Sequence, residues 1–222
     1  MEVFMKKKVG VLLSGCGVFD GSEIHEAVLT LLFLNRRGVE IVCMAPDITQ
    51  MHVINHLTQE ELKETRNVLA ESARIARGEI KSLSDVNSSD LDALIIPGGF
   101  GAAKNLSEFA FKGPEGSVNP DVKRLLDEML SDGKPIGALC IAPATVGMAL
   151  KDRHPKLTVG IHEETIQALE SMGVKHEICS VAEVAVDEKN RIVTTPAYMI
   201  GPEIKDVAQG IEKLVDKIIS LM

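Results

Sequence analysis

Tryptophan is absent from this chain, tyrosine occurs once and phenylalanine six times, so aromatic residues make up 3% of 222 positions. Basic residues are also in short supply: 24 Lys and Arg face 32 Asp and Glu, leaving a net charge of −8. Both shortages speak against nucleic-acid binding, which needs a basic face and stacking rings. Cysteine is sparse and scattered. Cys16, Cys43, Cys140 and Cys179 form no C-x-x-C pair, which argues against a zinc knuckle or a disulfide framework and for a reducing compartment. Long apolar runs are missing too, and none approaches the ~18–20 residues of a membrane span. Leu13-Ser14-Gly15-Cys16 after Lys6–Lys8 imitates a lipoprotein signal. The apolar run VGVLL, however, falls short of the roughly 7–15 residues that a signal peptide needs. A soluble, cytoplasmic protein with neither membrane nor nucleic acid as partner is the expectation.

What the chain does have is alternation. At 45% hydrophobic and 25% charged it suits one globular domain over residues 1–222, with no linker, repeat or low-complexity segment. Apolar runs at Val9–Leu13, Val39–Met44, Leu91–Ile96, Ile136–Leu139, Leu157–Ile161 and Arg191–Thr195 predict strands, and Glu177–Val186 alternates like another. Helices fall between them. Ile24, Val28, Leu31 and Leu32 mark the buried face of the first, and Val122, Leu125, Leu126 and Met129 that of the helix over Asn119–Asp132. Another helix follows His162 and ends at Gly173. Ile204, Val207, Ile211, Leu214 and Ile218 mark the last helix, opened by Pro202. Thr58-x-x-Glu61 has a capping-box pattern and predicts a helix running to about Gly78. Strands alternating with helices predict a doubly wound α/β fold, a mainly parallel sheet with helices on both faces. The long connection from Ala45 to Asp90 is either a lid or dimer contact or a plain surface insertion.

The stretch KPIGALCIAPATVGMAL, Lys134 to Leu150, organises the rest. A buried strand turns sharply into a helix with Cys140 at the corner, and the residues two before and two after it are the small Ala138 and Ala142. Such a corner strains the backbone and tolerates only small flanks. The thiol then sits at a helix amino end, where the macrodipole favours a thiolate nucleophile; a buried core cysteine is the plainer reading. Loops at the carboxyl ends of parallel strands build the site in such folds. Here they deliver Glu23, Gly98 and Gly99, Cys140 and His162, which amount to a carboxyl, an amide cradle, a nucleophile and a base.

Each member has a purely structural alternative. Asp20-x-x-Glu23 fits a helix amino-terminal signature, so Glu23 is a site carboxylate or a cap. His162 is a base or simply the start of its helix. His25 reads as a surface residue. His52 and His56 share the i, i+4 spacing of a metal pair but lack an obvious third ligand, so no metal is expected. Gly15-x-Gly17 resembles a dinucleotide loop, yet Asp20 takes the place of its third glycine. Lys104 in GAAKN reads as solvated.

The strings SGCGVFDGSEIHEAVLTLL, INHLT, ETRNVL, ALIIPGGFGAAKNLS, CIAPA and VTTPAYM resemble the enhancing lycopene biosynthesis protein 2 family, the ElbB-type glyoxalases. These are a branch of the class I glutamine amidotransferase-like superfamily alongside the Parkinsonism-associated deglycase. The resemblance spans nearly the whole chain. It implies a flavodoxin-like α/β sandwich, a reactive Cys140 with Glu23 as its carboxylate partner, and glyoxalase activity without cofactor on glyoxal or methylglyoxal, an activity that in this superfamily can reflect deglycation. It also implies a homodimer and a loose link to isoprenoid metabolism. Amidotransferases with an intact triad carry a histidine just before the last helix, where this chain reads TTPAYMIGPE. His162-x-Glu164 has the spacing but comes too early, which points away from ammonia production. By order along the chain His162 resembles the third residue of the deglycases.

The expected chemistry is attack of the Cys140 thiolate on an aldehyde, with amides near Gly99 and Ile141 holding the oxyanion. Glu23 or His162 then moves the proton between carbons. The rival reading, from another class, is a redox sensor or scaffold whose Cys140 oxidises beside Glu23.

Overall fold

The computed structural model describes residues 6–222. In chain order it runs β1 (Lys8–Leu12), α1 (Ile24–Arg36), β2 (Glu40–Ala45), α2 (Val68–Ile75), β3 (Lys81–Ser82), β4 (Ala93–Ile96), α3 (Phe100–Lys104), α4 (Phe109–Lys112) and α5 (Pro120–Ser131). It continues through β5 (Ile136–Leu139), α6 (Ala142–Ala149), β6 (Lys156–Leu157), α7 (Glu163–Ser171), β7 (Lys175–His176), β8 (Ala185–Asp187), β9 (Ile192–Thr195) and α8 (Ile204–Leu221). Seven strands form one sheet in the order β3-β2-β1-β4-β5-β9-β8, all parallel except β8. The chain winds one way from β1 to β3 and the other way from β4 onward. That reversal puts a crevice at the carboxyl ends of β1 and β4, where open α/β sheets build their sites.

Strand residues alternate between two cores, as the pleat requires. Val9, Val11 and Ile95 pack with Ala27, Phe33, Ile211 and Leu214 of α1 and α8. Leu12, Leu94 and Ile96 pack with Leu125, Leu126 and Met129 of α5 and with Val146 of α6. The sheet is therefore covered on both faces, which is why its strands are apolar throughout.

The first helix is turned relative to its predicted face. Ile24, Val28 and Leu32 are 43%, 48% and 40% exposed, whereas Glu26, Ala27, Thr30, Phe33 and Leu34 are buried. IHEAVLTLLFLNR is apolar on more than one side, so periodicity does not single out the inward face; packing against α8 and the sheet does. Ile204 of the last helix is likewise exposed, and that helix starts at Ile204 with Glu203 before it, two residues later than Pro202 suggests.

Three further expectations are corrected. Thr58–Glu61 does not start a helix: Asn55 Oδ1 accepts from the Leu57 amide at 2.9 Å, and Gln59 adopts φ 63° in a tight turn. A local Asx turn outcompetes the capping box, and the helix waits for α2, capped by the Asn67 side chain on the Ala70 amide. Of Leu157–Ile161 only Leu157 is in a strand, and it pairs with β7 in a separate two-stranded sheet. Glu177–Val186 supplies only the start of β8, which runs antiparallel to β9. The connection after β2 folds back on the loop after β1, the Ile54 amide donating to Asp20 Oδ2 at 2.7 Å and the Gly15 amide to Ser72 Oγ at 2.8 Å.

Candidate active site

Between β5 and α6, Cys140 adopts φ 59°, a left-handed conformation that residues other than glycine take at a cost of ~1–3 kcal/mol. Its amide donates to the Thr195 carbonyl at 3.0 Å, tying the corner to the end of β9. Ala138 and Ala142 on either side are fully buried. The thiol belongs to a residue only 8% exposed, and the amides of Gly99 and Ile141 hydrogen-bond its sulfur. The glycines beside it are sterically required. A Cβ at Gly98 would lie 2.4 Å from Cys140 Cβ and 2.6 Å from Glu26 Oε2, and one at Gly99, which sits at φ +94°, would lie 2.3 Å from the Glu23 amide nitrogen.

The carboxyl at the sulfur is Glu26, not Glu23. Glu26 is fully buried on α1 and hydrogen-bonds the Cys140 thiol. Its Oε2 accepts from the Gly98 amide at 2.8 Å and its Oε1 from the Tyr198 amide at 3.2 Å. Burial, then the charge of Glu23, pushes this carboxyl up to about 8 against the pull of the two amides. Cys140 is pushed well above the ordinary thiol range, first by burial and then by the charge of Glu26. The free thiolate expected from the helix dipole is thus corrected: at an almost dry corner desolvation outweighs the dipole of an eight-residue helix. The two groups form a coupled acid pair. While Glu26 keeps its proton it does not oppose a negative sulfur.

Glu23 is the amino-terminal cap of α1, its Oε2 accepting from the Glu26 amide at 2.7 Å, and it also lines the cavity in front of Cys140. The residue thus caps the helix and faces the cavity at once. That cavity, about 290 Å³, is walled by Val18, Phe100, Ile141 and Met199, with Glu23, His162, Thr165 and Tyr198 as its polar side chains and Gly99 and Cys140 at its base. Nothing from the 45–90 connection or from 109–118 takes part in the lining. His162 caps α7, its Nδ1 2.8 Å from Thr165 Oγ1 and accepting from the Thr165 amide at 3.4 Å. It reaches the cavity from the crossover after β6, away from the central sheet.

Besides Glu26, Tyr198 is a participant that the sequence does not point to. Tyr198 follows β9 on a turn in which Ala197 takes φ 43°, and its hydroxyl lies 2.8 Å from His25 Nδ1. Burial, then Glu23 and Glu26, raises the Tyr198 phenol. Elsewhere, His56 Nδ1 lies 3.0 Å from the Ile54 carbonyl and its Nε2 accepts from the Phe19 amide at 3.3 Å, while His52 packs edge-on against Phe111. The two imidazoles do not converge. Lys104 donates to the Phe19 carbonyl at 3.0 Å, with burial lowering its ammonium. Among the described residues no helix is long and apolar enough to cross a membrane.

A mostly parallel sheet with helices on both faces and a cysteine at the corner after a central strand defines the class I glutamine amidotransferase-like fold. Within it the chain belongs to the DJ-1/PfpI family, whose profile matches residues 11–204. It is 46% identical over 226 residues to the rat mitochondrial ES1 protein homolog, covering 97% of this chain and 84% of that one. It is also 46% identical over 224 residues to human mitochondrial glutamine amidotransferase-like class 1 domain-containing protein 3, covering 96% and 83%. A crystal structure of an Ehrlichia chaffeensis isoprenoid biosynthesis protein with an amidotransferase-like domain superposes with a TM-score of 0.90 at 38% identity, covering 97% of this chain and all of that one. Drosophila melanogaster DJ-1beta shares the fold at 18% identity and a TM-score of 0.56, covering 98% of this chain and 96% of that one. These relatives correct the cytoplasmic expectation: the curated proteins from rat, human and zebrafish are all named as mitochondrial, which points to the mitochondrion instead.

Proposed function

We propose that this protein is a cofactor-independent glyoxalase of the ElbB type, converting glyoxal or methylglyoxal to glycolate or lactate. The observation that carries the reading is the pairing of the Cys140 thiol, in the lining of a cavity open to small molecules, with the buried carboxyl of Glu26, which burial pushes toward its protonated form. In the reaction sulfur bonds to the aldehyde carbon, and the thiol proton passes by way of Glu26 to the former carbonyl oxygen, giving a hemithioacetal. The Gly99 and Ile141 amides, aimed at the sulfur in the resting protein, stand ready to share the developing oxyanion. Glu23 is the base that takes the carbon-bound proton. Its Oε1 accepts no protein hydrogen bond among the described residues. Return of that proton to the neighbouring carbon through an enediol leaves a thioester of the hydroxy acid. Water then breaks the carbon–sulfur bond and restores the thiol. The first carbon is oxidised as the second is reduced, so no external redox partner enters.

His162 contributes a hydrogen bond from Nε2 rather than a base, because its Nδ1 is already engaged by the Thr165 amide and hydroxyl. We also propose a homodimer, with the exposed Ile24, Val28 and Leu32 row of α1 as the contact, and a link to isoprenoid metabolism on the strength of the Ehrlichia relative. The testing experiment is methylglyoxal turnover by Cys140→Ala and Glu26→Gln. Both lose at least about 100-fold in kcat/KM; activity within threefold of the parent in Cys140→Ala refutes the reading.

A further inference from the structure

We infer that the cavity selects uncharged 2-oxoaldehydes bearing an apolar substituent of about aryl size and rejects those that carry an anionic group. This rests on the glyoxalase reading and names the substrate class of the same site.

The first support is size. By the ~30 Å³ that one water occupies in the liquid, a cavity of 290 Å³ takes a molecule of about ten non-hydrogen atoms. Methylglyoxal, with about half that number, leaves much of it to solvent. The second is the wall. Val18, Phe100, Ile141 and Met199 line it, and Phe100 is 48% exposed although large and apolar. An exposed phenyl ring at the rim of a concave site is apolar surface that a substituent can cover.

The third is charge. Glu23 in the lining faces the reacting centre, Glu26 behind Cys140 is held toward its neutral form by burial and adds no opposing charge, and among the described residues no lysine or arginine lines the cavity. Lys104 lies 5.4 Å over the Phe100 ring but outside the lining, with its ammonium donated to the Phe19 carbonyl. The His162 imidazole in the lining has its Nδ1 engaged by Thr165. A carboxylate or phosphate on the substrate would enter a partly desolvated site without a counter-ion. The same field helps the product leave, because the hydroxy acid becomes an anion there only after the thioester is cut.

The test compares kcat/KM for phenylglyoxal, 4-carboxyphenylglyoxal and methylglyoxal. Phenylglyoxal exceeds methylglyoxal by about tenfold or more, and exceeds its carboxylated analogue by about tenfold or more. Ratios within each variant cancel any general loss of activity. In Phe100→Ala the phenylglyoxal-to-methylglyoxal ratio falls at least about threefold, and in Glu23→Gln the discrimination against the carboxylate narrows by a similar factor. Equal turnover of all three aldehydes, or ratios unmoved by both substitutions, overturns the inference while leaving the glyoxalase reading intact. Failure of that reading looks different: none of the three aldehydes yields a hydroxy acid.

Discussion

The Cys140 thiol meets the carboxyl of Glu26, one helical turn beyond the residue that the sequence puts forward, Glu23. Glu26 points inward between the Gly98 and Tyr198 amides, while Glu23 closes the end of the helix and looks into the cavity. One turn of α1 thus supplies two carboxyls in two environments, one dry and protonated and the other at a solvent-facing wall.

Glu26 makes folding pH-dependent. Its carboxyl holds a proton up to about pH 8 in the folded state, against an ordinary value of 4.5. Between those values the native state binds more protons than the unfolded chain, so stability falls as pH rises from 4.5 to about 8 and levels off above. The whole contribution is on the order of 5 kcal/mol at most. In Glu26→Gln this part of the slope disappears from urea denaturation measured at several pH values. A slope identical to the parent's contradicts a buried, proton-holding Glu26.

Glu23 caps α1 and is the base in the proposed reaction, and substitutions separate the two. Glu23→Asn keeps a capping acceptor and stays within about 0.5 kcal/mol of the parent in stability, whereas Glu23→Ala loses about 1 kcal/mol. Both lose methylglyoxal turnover by about 100-fold. Full activity in Glu23→Asn restricts this residue to capping.

Gly98, in the loop after β4, packs directly against Cys140 and Glu26. Gly98→Ala drives a Cβ into Cys140 and Glu26, costs about 1–3 kcal/mol and depresses turnover well beyond what the lost stability explains. Chemical denaturation beside kcat/KM measures both effects; parental values for each contradict the close packing at this corner.

The outward row of α1 is a contact surface in this account. Val28→Asp places a charge amid Ile24, Val28 and Leu32 and yields a monomer by light scattering, with the fold retained by circular dichroism. An unchanged oligomeric state removes α1 from the interface.

Much of this was legible beforehand. Short apolar runs mark β1, β2, β4, β5 and β9 but not the two-residue β3, and the small Ala138 and Ala142 around Cys140 mark the strained corner at φ 59°. The buried row Val122, Leu125, Leu126 and Met129 is where its spacing put it. In helix α1 the spacing points to the wrong face because both of its sides are apolar. The face defined by Ala27, Thr30, Phe33 and Leu34 also carries Glu26, and a lone carboxyl within such a face was the available clue. Tyr198 gave no such signal. Its place depends on the left-handed turn at Ala197 and on contact with His25, 173 residues away, which no local pattern encodes.

The most direct test is proton NMR of methylglyoxal incubated in D₂O with the parent protein and with Cys140→Ala. The account predicts lactate accumulating over many turnovers with the parent, and none above the buffer control with Cys140→Ala. Lactate formed equally by both proteins, or methylglyoxal consumed stoichiometrically with no lactate, would contradict it.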